Sequence, residues 1–230
     1  MKLLRVARKA NNPGRLSGKK ILINAGPTHE KIDPVRFIGN YSTGKMGYAL
    51  AEACAREGAE VVLISGPVSL SPVNPLIKRY MVTSAAEMAN RCFFHYEKCD
   101  AGILTAAVAD FTPVKKSDKK VKRIGSTWTI ELEPTPDIAA ELGRSKKPGQ
   151  VLVGFALETT DELENARAKL ERKNFDFIVL NSLNDKGAGF GFDTNKITIL
   201  ERDNNIRIFE LKTKKEVALD IIDKLVEYVT

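Results

Sequence analysis

Long apolar runs are missing from this sequence. No stretch of its 230 residues approaches the roughly 20 apolar side chains that span a bilayer, which excludes a helical membrane protein. The opening MKLLRVARKANNPGRLSGKK is basic, but its apolar portion is too short for a secretory signal. Cysteine is scarce. Cys54, Cys92 and Cys99 make no disulfide framework and no CxxC pair of the metal-binding kind, so a reducing cytoplasm is expected. Aromatic residues are only 7%, and none is interleaved with the main basic run, which argues against a single-strand nucleic-acid stacking surface. The two histidines, His29 and His95, have no triad or metal partner in view, so structural roles are expected of them.

What is present is a chain able to bury a core: 43% hydrophobic and 28% charged residues, at a length that favours one large domain. Lys and Arg number 36 against 29 acidic residues, a net charge of +7. Much of this surplus sits in Lys115, Lys116, Lys119, Lys120, Lys122 and Arg123, interrupted by Asp118. Such a balance suits nucleic acid, an anionic membrane or small phosphorylated substrates.

Residues 1–18 read as a linker or tail, and 19–230 as a single domain. KILINA (20–25) and EVVLIS (60–65) read as buried strands, with further strands over 79–83, 102–106, 151–155 and 176–180. Helices are predicted over 44–57, 84–98, 136–143 and 160–173. Strands alternating with helices predict an α/β, doubly wound, mostly parallel sheet with helices on both faces. KITILE (196–201) and IRIFEL (206–211) flank Asp203-Asn204-Asn205 and predict a C-terminal β-hairpin addition before a helix over 214–228.

GNYSTGK, Gly39 to Lys45, fits the GxxxxGK core of a phosphate-binding loop, yet Met46 stands where a Ser or Thr hydroxyl would hold Mg²⁺. The segment also lies well past the first strand, where a P-loop would begin directly. A helix starting near Gly44 can still present free amides to a phosphate, against the bland reading of a glycine-rich helix entry. The insertion GPTHEKIDPVRFIGN lies where open α/β sheets bind ligands, beyond the strand ends, and lacks GxGxxG. In it Arg36 suits a phosphate and Asn40 carries a carboxamide, though both are also ordinary loop residues. TAAVAD, Thr105 to Asp110, ends a buried strand in small residues that admit a ligand close to the backbone. Asp110 suits a ribose hydroxyl or a metal, or simply caps a helix. Lys169 and Lys173, four apart, share a helix face, and Phe155 ends a strand as core or as a base-stacking ring.

Taken in order, AGPTHEKIDPVRFIGNYSTGKMGYALA, AAVADF with its lysine loop, TPDI, GFALET, RKNFD and GFGFDTN resemble the phosphopantothenate–cysteine ligase family, over roughly residues 19–228. The resemblance implies a Rossmann-like fold and a ligase of coenzyme A biosynthesis joining 4′-phosphopantothenate to L-cysteine through an acyl-cytidylate. The DPVRFIGNYSTGKMG segment is similar to the bacterial branch, which implies CTP as the activating nucleotide, with Mg²⁺; the metal ligands stay open. By that resemblance Asn40 handles the acyl-nucleotide intermediate. Lys120 matches the first lysine of the family's KxKK loop, here KVKR, which departs at Arg123, and the resemblance implies a catalytic and nucleotide-binding role for it. Leu104, Thr105, Ala106, Asp110, Pro136, Asp137, Ile138, Phe155, Lys169 and Lys173 match nucleotide-binding positions. Ala106 and Ala107 join Asn40 on the acid substrate, and Arg36 matches an arginine that reaches the substrate phosphate from the partner of a homodimer. The family is often fused behind a phosphopantothenoylcysteine decarboxylase, whose linker residues 1–18 resemble. The competing classes are another nucleotide-dependent ligase or NTPase on the same sheet, and a basic nucleic-acid-binding module using residues 115–123; the ligase reading needs no nucleic acid and no membrane.

Overall fold

The structure is a computed structural model that describes residues 14–123, 125–182, 187, 189 and 191–229. In chain order its first half comprises β1 (Lys20–Ala25), β2 (His29–Lys31), β3 (Phe37–Gly39), α1 (Lys45–Arg56), β4 (Glu60–Ser65), β5 (Ile77–Met81), α2 (Ala85–Tyr96), β6 (Ala101–Leu104) and β7 (Phe111–Pro113). The second half comprises β8 (Leu132–Pro134), α3 (Ile138–Ser145), β9 (Val151–Glu158), α4 (Glu162–Arg172), β10 (Phe177–Ser182), β11 (Thr194–Asn195), β12 (Ile197–Glu201), β13 (Ile206–Ile208), β14 (Lys212–Thr213) and α5 (Lys214–Val229).

Eight strands form one sheet in the order β13-β12-β10-β9-β6-β1-β4-β5. The six from β10 to β5 are parallel, and β12 and β13 add antiparallel at one edge. Strands β1, β4, β6 and β10 are buried over nearly their whole length, the expected signature of strands covered on both faces. One face packs α1 and α5 through Leu50, Cys54, Val217, Ile221 and Leu225 onto Ile21, Ile23 and Ile103. The other packs α2, α3 and α4 through Met88, Cys92, Leu142 and Leu170 onto Leu22, Val62 and Ile178. This is the doubly wound α/β architecture expected from the sequence.

The chain lays β4 and β5 to one side of β1 and β6, β9 and β10 to the other, so the strand order reverses between β1 and β6. That reversal opens a crevice beyond the carboxyl ends of these two strands. Two short hairpins rise around it, β2 with β3 and β7 with β8.

Three details differ from expectation. The strand predicted over 79–83 spans Ile77–Met81. The second hairpin strand stops at Ile208, because Phe209 turns into the core and Lys212–Thr213 pairs with Thr194–Asn195 instead. Packing already begins within residues 14–18: Leu16 is fully buried, and Arg15 pairs with Glu57, just past α1, and with Asp223 of α5.

Candidate functional site

The crevice at the switch point is a cleft of about 680 Å³. Its floor is set by Asn24, whose buried side chain accepts a hydrogen bond from the Ala106 amide at 2.9 Å. The Thr105 hydroxyl donates to the Asn24 carbonyl at 2.6 Å, and Pro27 bridges to Ala107. The ends of β1 and β6 are thereby locked together under a surface of small side chains.

Helix α1 enters beside this floor. Gly44, at φ 76°, turns the chain into the helix, a backbone state that costs glycine little. No side chain caps the first turn and no acidic residue lies in it, so the amides at this end remain suited to an anion. Gly47 brings the helix so close that a Cβ there would stand 2.5 Å from both the Ala25 Cβ and the Thr105 hydroxyl.

The opposite wall carries the cations. Lys169 of α4 pairs with Glu158 at 2.5 Å, and Lys173, just past the helix end, pairs with Asp137, which caps α3 through the Ala140 amide at 3.0 Å. Burial pushes the Asp137 carboxyl up, but the bond from Lys173 and the Ala140 amide outweigh it and hold it below its usual range. Phe155, half-buried on β9, faces the same cleft, as does exposed Asp110. Asn40 reaches in from the arm, its Nδ2 donating to the Ala107 carbonyl at 2.9 Å.

Asn40, Leu104, Thr105, Ala106, Ala107, Asp110, Pro136, Asp137, Ile138, Phe155, Lys169 and Lys173 thus all line one cleft. Arg36 and Lys120 are not among its lining residues. Arg36 is paired with Asp33, donates to the Val121 carbonyl at 2.8 Å and lies 4.3 Å from the Trp128 ring. Lys120 is exposed on the neighbouring loop.

Sequence reasoning missed Asn24, Asn181, Asn195 and Lys214, which also line the cleft. Asn24 and Asn181 each stand near the end of an apolar strand, KILIN and FIVLN, and that polar interruption was a usable signal. Lys214, buried at the start of α5, donates to the carbonyls of Gly189 and Phe192 at 3.0 and 2.6 Å. Burial, aided by Lys45, lowers its pKa against the opposing pull of Asp193. Asn195 is buried beside Asn181, to which it donates at 3.1 Å.

Among the described residues no group of three or more His, Cys, Asp or Glu side chains can hold a metal ion. Of the acids lining the cleft, Asp137 is already taken by Lys173, and Glu158, beside it, is taken by Lys169. A Mg²⁺ here fits as a companion of a polyphosphate and not as a resident of a protein cage. No helix of the described residues is long and apolar enough to cross a membrane.

A prokaryotic protein of unknown organism, named cysteine/cysteine sulfinic acid decarboxylase, is 60% identical over 93% of this chain and 60% of its own length. The coenzyme A biosynthesis bifunctional protein CoaBC of Bacillus subtilis is 50% identical over 91% of this chain and 52% of its own length. The chain therefore spans only a little over half of the curated relatives it matches. The solved C-terminal domain of a coenzyme A biosynthesis bifunctional protein CoaBC superimposes with a TM-score of 0.80 at 42% identity, covering 93% of this chain and 97% of that one. A family model, that of the DNA/pantothenate metabolism flavoprotein C-terminal domain, matches residues 16–229, and the chain belongs to that family.

Proposed function

We propose that this cleft joins 4′-phosphopantothenate to L-cysteine at the expense of CTP, giving 4′-phosphopantothenoyl-L-cysteine, CMP and pyrophosphate. The observation that carries the reading is a single cleft holding Lys169 and Lys173, an uncapped helix N-terminus and the Asn40 carboxamide. The relatives' naming for coenzyme A biosynthesis supports it. The decarboxylase in the other relative's name is not carried over, because these groups suit phosphate and acyl transfer.

The chemistry has two steps. A carboxylate is a poor electrophile, so its oxygen first attacks the α-phosphorus of CTP and expels pyrophosphate, leaving an acyl-cytidylate. Negative charge gathers on the phosphates, and Lys169 and Lys173 offset it. Mg²⁺ bound to the triphosphate would add further neutralisation. Phe155 stacks on the base, the backbone near Ala106 and Pro136 reads its edge, and Asp110 takes a ribose hydroxyl. The cysteine amine then attacks the acyl carbon, CMP leaves with the bond electrons, and the ammonium proton passes to solvent. Asn40 donates to the acyl oxygen during this attack.

Lys120 acts from the basic loop on the charge that gathers at the α-phosphate in the first step, and Arg36 acts from the arm. We assign Arg36 to the substrate phosphate of a partner's cleft in a homodimer. Exposed Val35, Phe37 and Tyr41 on the same arm support such a contact, at 61%, 53% and 93% exposure. The unpaired, buried Cys54, Cys92 and Cys99 accord with a cytoplasmic setting. Pairing or fusion with a phosphopantothenoylcysteine decarboxylase follows from the bifunctional relatives.

Pyrophosphate release in the presence of phosphopantothenate, measured with CTP and with ATP, tests the first step. Release that requires the acid and is faster with CTP is expected. Release independent of the acid would overturn the reading, and equal rates would remove the preference for CTP.

A further inference from the structure

The basic loop is strapped to the β2–β3 arm, and the strap converges on one buried acid. The Ser117 amide donates to the Ile32 carbonyl at 2.9 Å, and Lys31 stands 3.5 Å from Asp118. Val121, which separates Lys120 from Lys122, has both backbone groups taken. Its N–H donates to Asp33 Oδ2 at 3.1 Å, and its carbonyl accepts from Arg36 at 2.8 Å. Asp33 and Arg36 are themselves paired, so the two partners of one ion pair hold the two sides of one peptide residue.

Asp33 is fully buried although charged, its side chain showing 0% exposure. A carboxylate out of water is stable only when donors surround it. Here Oδ1 accepts the Val35 and Arg36 amides at 2.8 and 2.9 Å, while Oδ2 serves the Arg36 guanidinium and Val121. Folding the turn needs only Oδ1. The second oxygen, besides pairing with Arg36, reaches a chain segment 88 residues away.

We infer that Asp33 is a positioning residue that fixes the basic loop to the arm, so that Lys120 and Arg36 are carried as one unit at a set separation. Two cations far apart in sequence are thereby held in one fixed relation. The inference about catalysis rests on the ligase reading; the strap itself does not.

Asp33→Asn keeps the size and the Oδ1 acceptor but removes the charge that pairs with Arg36. Hydrogen exchange of the apoprotein is expected to quicken about tenfold at residues 115–123, the effect of losing roughly one charge-assisted bond, while β1 and β6 stay protected. Val121→Pro, which removes the donor from the loop side and leaves Asp33 intact, is expected to do the same. In the ligase assay Asp33→Asn should lower kcat roughly 100-fold, the cost of a misplaced catalytic group, with the KM for cysteine unchanged. Added to Lys120→Ala and Arg36→Ala together it should lower kcat no further, because it acts through those two cations. Unchanged exchange in both variants would overturn the strap. Faster exchange in β1 and β6 as well would reduce Asp33 to a folding role, and multiplying kinetic losses would overturn the positioning of Lys120 and Arg36. A wild-type protein that forms no amide would sink the ligase reading while the exchange result still decides the strap.

Discussion

Asn24 and Ala106 sit on adjacent parallel strands, and the hydrogen bond of 2.9 Å from the Ala106 amide to the Asn24 side chain closes the sheet where the cleft begins. The side chain does at the strand ends what the ladder does within them: it satisfies a backbone donor next to a surface that must admit a ligand. Asn24→Ala should therefore cost about 1–3 kcal/mol, the penalty for an unsatisfied buried donor. Thermal unfolding would register this as a lower Tm together with weaker nucleotide binding. A variant as stable as wild type would remove Asn24 from the site's framework.

Lys169 and Lys173 are held in reserve by Glu158 and Asp137. If a polyphosphate takes these cations, Lys169→Gln and Lys173→Gln should each weaken CTP binding by tenfold or more, since hydrogen bonds to charged groups contribute about 1.5–3 kcal/mol. Calorimetric titration of each variant checks this. Affinities equal to wild type would place the nucleotide elsewhere.

Acid should act on the N-terminal packing. Arg15 donates to both oxygens of Glu57, and that bond is the main reason the Glu57 carboxyl lies below its ordinary 4.5. A depressed folded pKa contributes stability that is fully present above the unfolded value and is lost as pH falls through the folded one. Arg15→Ala should thus lower Tm at pH 7 and make progressively less difference as pH falls below 4.5. Melting curves recorded across that range should converge; a gap that stays constant with pH would contradict the linkage.

The two chemical steps should separate at Asn40. Asn40→Asp keeps the size but replaces an amide donor with negative charge beside a developing oxyanion, a loss of about 10²–10³ in rate where such donors act. Pyrophosphate should still appear while little amide forms. Quenched-reaction mass spectrometry would find the acyl-cytidylate accumulating in this variant. Its accumulation in Lys120→Gln and not in Asn40→Asp would reverse the two roles.

Much of this architecture was legible because its signals are local. KILINA and EVVLIS are apolar throughout, as strands covered on both faces require, and the helix over 45–56 is bounded by Gly44 and Gly58. The hairpins of three-residue strands were not legible. Their strands, such as Phe37–Gly39 and Leu132–Pro134, are largely exposed and too short to alternate. The cleft residues were named through motifs, and twelve of them meet in space. The placement of Arg36 and Lys120 was hidden, because it depends on Asp33 meeting Val121 across 88 residues. Nothing local distinguishes that buried carboxylate from an ordinary turn aspartate. Asn24, at the end of its apolar run, left a clearer trace.

The central claim is that one cleft both activates an acid and hands it to an amine. Mass spectrometry of the wild-type protein with phosphopantothenate, cysteine and CTP tests it most directly. The account predicts one 4′-phosphopantothenoyl-L-cysteine and one CMP for each pyrophosphate, with product lost when any of the three substrates is omitted. Pyrophosphate or CMP formed without the amide in the complete mixture, or no turnover at all, would contradict it.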